Sequence, residues 1–330
     1  MCVCVSVCVR VKVNKDFFIL PIINSIYTPP PTMTTPRPIS VFFNKFWPGF
    51  AEKTDIMDCT FFVQLLERTY NAPIHVAQTP DNATILVESI FGNYSYLNYK
   101  KWRATILYTG ESDYATTQNV DKYDCVLGFE DTHDNFVKCP LFVIFLITNP
   151  RIMKEIENAD RPVPDEIPPN VASIIISNAY HGKERLEFYN TVKNEMPVFS
   201  GGKHNNNVGF VVPGSYNSNE MVDFYRRGKF AITMENNDKP YYVTEKLVNG
   251  LRSDVIPVYW GTSRVTEFFN PRRFIHLSQT PTKEEVAAII QRMKHMTEQE
   301  YLEIIREPVL VRPIGEICDE ILDSVKKILT

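Results

Sequence analysis

From Ile39 onward, short apolar runs alternate with segments whose apolar positions recur every three or four residues, the pattern of strands followed by amphipathic helices. Ile39–Phe43, Ala83–Ser89, Ala104–Tyr108 and Cys125–Phe129 read as strands, and Asp58–Tyr70 (D-C-T-F-F-V-Q-L-L-E-R-T-Y) has helical spacing. Strands separated by helices pair in parallel through right-handed crossovers, so a first Rossmann-like lobe is expected over residues 39–150. The segment N-P-R-I-M-K-E-I-E-N-A-D-R-P-V-P-D-E-I-P-P-N is rich in proline and charge and predicts a linker over 151–168. A second alternation fills 169–330. It runs from the strand V-A-S-I-I-I-S through a helix at Lys183–Asn194, a short strand at Pro197–Phe199, the turn S-G-G-K-H-N-N-N-V-G and a strand beginning at Lys229. Helical patterns at Lys283–His295, Glu298–Arg306 and Ile317–Leu329 close this lobe. The expected fold class is α/β, with two Rossmann-like lobes facing across a cleft.

The stretch from Lys229 to Leu277 is the most informative. K-F-A-I-T-M-E-N-N-D-K-P-Y-Y-V-T-E-K-L-V-N-G-L-R-S-D-V-I-P-V-Y-W-G reads as strand, polar loop, helix, strand. Its acidic, amide, phenolic and ammonium groups gather where the first strand ends and the helix begins. In a parallel sheet ligands bind beyond the carboxyl ends of the strands, and a helix amino terminus there offers free N–H groups to a phosphate. Thr244 is expected to contact the ligand there and, equally, to cap that helix.

Composition narrows the partners. A chain of 330 residues, 44% apolar and 22% charged, can bury two ordinary cores. With a net charge of −4 it has no electrostatic footprint for a polyanion, which argues against nucleic acid. None of the seven cysteines forms a C-x-x-C pair, which argues against a structural zinc site or a disulfide framework. Residues 1–38 form a leader. M-C-V-C-V-S-V-C-V-R-V-K-V is a low-complexity repeat with no assigned fold role, and F-F-I-L-P-I-I after Arg10, Lys12 and Lys15 has the charge order of a signal segment but is too short to span a bilayer. T-P-P-P-T-M-T-T-P-R-P suits a stiff tether.

The run M-E-N-N-D-K-P-Y-Y-V-T-E-K-L-V-N-G-L, followed by V-I-P-V-Y-W-G and F-F-N-P, resembles the signature of the α1,3/4-fucosyltransferase family. F-W-P-G-F, Y-T-G-E-S, C-V-L-G-F-E and S-G-G-x-x-N-N-x-V-G precede it in the family's order, so the resemblance spans roughly Ile39 to Leu277. It implies a GT-B glycosyltransferase that moves L-fucose from GDP-fucose, with inversion, to O3 of an N-acetylglucosamine-containing glycan or glycoprotein. Such transfer needs a base for the acceptor hydroxyl, stabilisation of an oxocarbenium-like sugar and cations for the departing diphosphate. The resemblance assigns the base to Glu111, at the exit of the strand Ala104–Tyr108. It lays Glu245 against the fucose and makes Lys246 a diphosphate clamp. Asn236 and Tyr242 match nucleotide and sugar contacts, and Glu235 sits just before them.

The glycine turn departs from some relatives, which carry an arginine a few residues beyond the paired glycines. Here Gly201 and Gly202 lead into Lys203, His204 and Asn205; Gly201, Gly202 and Asn205 are expected at the donor with Lys203, the substitute for that arginine, and Arg226 and Arg227 are read as a solvated pair. No D-x-D motif accompanies the donor loop, and no metal is expected to be obligatory, with Mn²⁺ stimulation through substrate phosphates left open. Asn82 and Asn93 head glycosylation sequons. The tether leans toward a Golgi type II membrane protein, with a cytoplasmic protein as the alternative. A silent relative that only binds a GDP-sugar or glycan, and a GT-B transferase for another nucleotide sugar, are the competing functions.

Overall fold

The computed structural model describes residues 38–112, 120–129, 133–160, 163–177 and 182–330. Of the leader and tether expected over 1–38, residues 1–37 lie outside the described residues. The first lobe runs β1 (Ile39–Asn44), α1 (Thr60–Tyr70), β2 (Ile74–Val76), β3 (Ile85–Glu88), β4 (Ala104–Thr109), β5 (Cys125–Gly128), β6 (Phe136–Lys138), α2 (Leu141–Thr148) and α3 (Pro150–Glu157). Its six strands form one parallel sheet in the order β2-β1-β3-β4-β5-β6. The second lobe runs β7 (Ala172–Ile174), α4 (Lys183–Glu195), β8 (Val198–Ser200), α5 (Asn219–Tyr225), β9 (Phe230–Ile232), α6 (Glu245–Arg252), β10 (Ile256–Tyr259), β11 (Ile275–His276), α7 (Lys283–His295), α8 (Glu298–Ile305) and α9 (Ile314–Leu329). Its strands are again parallel, ordered β11-β10-β9-β7-β8.

Buried β-branched and aromatic runs make the strands, and local capping sets several helix ends. Thr282 and Thr297 each accept the amide of a glutamate three residues on, both at 3.1 Å, starting α7 and α8. Asn71 closes α1 in the left-handed region at φ 48°. In each sheet the chain steps to one side of its first strand and then to the other. The crevices at the β1/β3 and β7/β9 carboxyl ends are therefore the two switch points, where α/β sheets place ligands.

Two expectations are corrected. The predicted linker opens with helix α3, because Ile152 and Ile156 recur at helical spacing and are buried. More consequentially, α9 does not stay with the second lobe. Ile314, Ile317, Ile321, Leu322 and Val325 form an apolar stripe buried in the same core as α1, α2 and the first sheet. Each such side chain contributes about 1.5–3 kcal/mol on burial, so the returning helix is a strong tie between the lobes. Leu247, Val248 and Leu251 of α6 enter that core as well.

Candidate active site

The carboxyl end of β9 delivers Thr233, Met234, Glu235 and Asn236 to the second lobe's switch point. Opposite them stands the amino terminus of α6, capped by Thr244, whose Oγ1 accepts the Lys246 amide at 3.4 Å. Glu235 is fully buried and holds this corner together. Its two oxygens accept the Thr244 amide at 2.8 Å and the Thr244 hydroxyl at 2.7 Å. Lys246 Nζ donates to Thr244 Oγ1 at 3.1 Å and lies 3.4 Å from Glu235 and 3.7 Å from Glu245. Burial by itself would lower the Lys246 pKa, but Glu245 and Glu235 outweigh it and raise it, so the ammonium persists. Burial pushes the Glu235 carboxyl up, with Lys246 opposing.

Glu245 and Lys246 line a cavity of about 130 Å³ with Arg185, Tyr216, Asn236 and Asn249, and Glu235 and Thr244 lie behind its wall. Arg185, on the first turn of α4, is buried and donates Nη1 to Asn236 Oδ1 at 3.0 Å. Two groups in the wall, Thr233 Oγ1 and Asn249 Oδ1, make no hydrogen bond to any described residue. Arg185 and Lys246 thus supply two cations, with hydroxyl and amide groups beside them, at a helix amino terminus. That set suits a nucleoside diphosphate.

The two lobes meet at Tyr242. Tyr241 before it takes φ 59°, a left-handed turn rare for an aromatic residue. Phe129, just past β5, packs edge-on to the Tyr242 ring at 5.2 Å, and the Phe142 amide donates to Val243 O at 3.0 Å. The Tyr242 hydroxyl donates to Glu111 Oε2 at 3.4 Å. Burial raises the Tyr242 pKa, with Glu111 and Glu235 adding to the rise against Lys246, which keeps the phenol protonated and a donor. Tyr216, in the cavity wall, is held above its usual range first by burial and then by Glu245, and it lies within the fields of both Lys246 and Glu111. The half-buried Glu111 thus reaches across the lobe boundary to Tyr242, three residues before Glu245.

The glycine turn stands apart. Gly201 and Gly202 are buried against the exit of β7, where the Gly201 amide donates to Ile174 O and the His204 amide to Ile176 O, both at 3.0 Å. A β-carbon on Gly202 would fall 2.1 Å from Ile176 O, so the turn needs glycine for close backbone approach. Lys203 and Asn205 are exposed on the far side of that turn and do not line the cavity. The glycines pack the turn closely on the β7 exit, and the basic side chains in the cavity's lining are Arg185 and Lys246. Arg226 is bound to Asp254 at 2.9 Å, and Arg227 lies over the rings of Phe210 and Phe224. Arg185 carried a signal that spacing alone could have shown: with Phe188, Tyr189 and Val192 it lies on the buried stripe of α4, a charge on an apolar face.

Two parallel-sheet lobes with the cavity at a switch point define the GT-B architecture of nucleotide-sugar transferases. The fold matches the crystal structure of an α1,3-fucosyltransferase with GDP at a TM-score of 0.67, over 90% of this chain and 92% of that one, at 20% identity. The same enzyme class with GDP-fucose matches at 0.65. Residues 169–306, most of the second lobe, match the profile of glycosyltransferase family 10 (fucosyltransferase), C-terminal part. Among curated proteins, the α-(1,3)-fucosyltransferase of Helicobacter pylori is 27% identical over 311 residues, covering 83% of this chain. The α-(1,4)-fucosyltransferase of Arabidopsis thaliana is 38% identical over 65 residues, 20% of this chain and 16% of the relative. The chain spans 60% of the length of the Helicobacter pylori relative.

Proposed function

We propose that this protein is an inverting fucosyltransferase that moves L-fucose from GDP-fucose to O3 of an N-acetylglucosamine-containing glycan. The observation that carries the reading is the approach of Glu111 to Tyr242 across the lobe boundary, beside a cavity bearing Lys246, Arg185 and Glu245. In this reading the diphosphate lies between Arg185 and Lys246 at the start of α6, where both positive charges and the helix dipole stabilise the leaving anion. A stable diphosphate needs no proton on departure, so no acid is required on that side. Glu245 faces the sugar, where its carboxylate offsets the charge developing at the anomeric carbon. Glu111 takes the proton of the acceptor hydroxyl as it attacks the opposite face of that carbon. Tyr242, protonated and donating to Glu111, orients the base.

Asn236 and Thr233 offer neutral partners for hydroxyl groups of the nucleotide and sugar. The acceptor approaches from the first lobe's loops. The expectation of no obligatory metal is retained in this proposal, because two cations and a helix terminus already meet the diphosphate. Transfer of label from GDP-[¹⁴C]fucose to N-acetyllactosamine, with linkage determination of the product, tests the reading. A product fucosylated at O3 of N-acetylglucosamine is expected. Saturable GDP binding with no transfer to any of a panel of lactosamine, lactose and chitobiose acceptors would instead identify a binding-only relative.

A further inference from the structure

The backbone at Tyr241 is the least probable conformation beside the site. Among the described residues six that are not glycine take positive φ, and Tyr241 is the aromatic one. An L-residue in that region crowds its β-carbon against its own backbone, and such strain persists only where the surroundings over-determine it. What it produces is a tight bend. The Val243 amide donates to Tyr241 O at 2.9 Å and the Tyr242 amide to Lys239 O at 3.0 Å, so Tyr242 stands at the apex. The apex meets the first lobe, where Glu111 accepts its hydroxyl and Phe129 packs on its ring.

The Tyr241 ring lies between two cations drawn from different lobes. Lys138 Nζ, at the end of β6, stands 4.7 Å from the ring centre. Arg264 Cζ, in the helical turn Ser263–Glu267 that follows β10, stands 5.6 Å from it. Both cations bind one carboxylate: Glu267 Oε2 is 3.3 Å from Lys138 Nζ, and Glu267 Oε1 is 3.0 Å from Arg264 Nη1. Phe268 closes a further side of the cage, edge-on to Tyr241 at 6.4 Å. Each cation is drawn to the negative face of the ring, and Glu267 offsets the repulsion between them. The grip has a built-in ruler. β4, β5 and β6 are adjacent strands of one sheet, so Lys138, which holds Tyr241, keeps a fixed separation from Glu111 at the β4 exit.

We infer that Tyr241 is a positioning residue for the transfer step: clasped between Lys138 of the first lobe and Arg264 of the second, it fixes the bend that holds Tyr242 against Glu111. This rests on the fucosyl-transfer reading and adds to it the means by which the base is aligned. Tyr241, Lys138, Arg264 and Glu267 are all outside the lining of the donor cavity. The clasp therefore acts on the rate of transfer and not on the hold on the nucleotide.

The test is kcat with saturating GDP-fucose and N-acetyllactosamine for Tyr241→Phe, Tyr241→Gly, Lys138→Met and the double variant Tyr241→Gly with Lys138→Met, with GDP affinity measured alongside. Tyr241→Phe keeps a ring between the cations and should retain kcat within about twofold. Glycine adopts positive φ without strain, so Tyr241→Gly permits the bend but removes the clasp. Its kcat should fall about ten- to hundredfold, the effect of a misplaced reacting group, with GDP affinity unchanged. Lys138→Met should lower kcat severalfold, and the double variant should be no worse than Tyr241→Gly alone, because both remove one contact. Lys138 is partly exposed, so its variant supplies the test even if Tyr241→Gly folds poorly. Parent kcat in both single variants, independent losses in the double variant, or a kcat loss matched by lost GDP affinity would each overturn the inference. If the parent protein transfers no fucose, the functional reading fails separately. Hydrogen exchange at the Val243 amide then decides the clasp: protection should persist in Tyr241→Phe and drop about tenfold in Tyr241→Gly and Lys138→Met, and equal protection throughout would overturn it.

Discussion

Lys246→Met keeps most of the side-chain volume and removes its charge, which exposes two roles of that ammonium at once. Glu235 Oε2, 3.4 Å away, belongs to a carboxyl with no exposed surface, so the substitution strips its cation. Breaking a buried pair by deleting one partner costs about 3–5 kcal/mol. Here the Lys246 side chain is a quarter exposed, and Thr244 keeps two hydrogen bonds on Glu235. A loss of about 2–3 kcal/mol is therefore expected. The pH dependence carries the sharper signature. Burial already holds the Glu235 pKa above the ordinary carboxyl range, and without Lys246 it rises further. A carboxyl raised in the folded state is no liability below its unfolded pKa, where it is protonated either way. It destabilises increasingly as pH climbs toward its folded value. The deficit of Lys246→Met relative to the parent should thus be small near pH 4 and grow through neutrality, measured by urea unfolding at several pH values. GDP affinity should fall about ten- to hundredfold at neutral pH, the value of one charge-assisted hydrogen bond. A deficit independent of pH, or unchanged GDP affinity, would refute the reasoning.

Other outcomes follow from the same geometry. Arg185→Lys keeps the charge but loses the fork that reaches both Asn236 and a phosphate, so GDP binding should weaken about tenfold in titration calorimetry. Lys203→Ala, exposed and outside the cavity, should leave GDP affinity within about twofold, whereas Gly202→Ala should unfold at markedly lower urea because its β-carbon meets the Ile176 backbone. Treatment with EDTA should leave turnover measurable, and added Mn²⁺ should act through the donor's phosphates; irreversible loss of turnover on chelation would contradict the metal-independent scheme.

Much of this architecture is legible in the sequence because its strands are apolar runs separated by amphipathic helices. Strands β1, β3, β4 and β5 fall where the pattern puts them, within a residue or two, and α6 starts at Glu245 as its Thr-Glu-Lys entrance predicts. Strands β2 and β6 span three residues each, too few for any period to register. Helix α2 (L-F-V-I-F-L-I-T) is apolar on every side, since it is buried between the lobes, and so shows no helical period. The return of α9 to the first lobe depends on which apolar face is left uncovered, a tertiary fact that local spacing does not encode.

The site shows the same division. Glu235, Asn236, Tyr242, Thr244, Glu245 and Lys246 occupy one continuous motif and come together as expected from strand-loop-helix geometry. Arg185 reaches them only because β7 and β9 are neighbours, although the residues lie far apart in sequence. Lys203 is the cation next to the paired glycines in the chain, but Gly202 packs tightly on the Ile176 backbone and Lys203 does not line the cavity.

The pairing of a first-lobe carboxylate with a second-lobe donor site is most directly tested by single-turnover transfer in Glu111→Gln with GDP-fucose prebound. Loss of the base should slow transfer by about 10²–10⁴-fold while leaving GDP affinity unchanged. Transfer at the parent rate, or a loss of rate explained entirely by lost GDP binding, would contradict the assignment of Glu111 as the base facing Lys246 across the cleft.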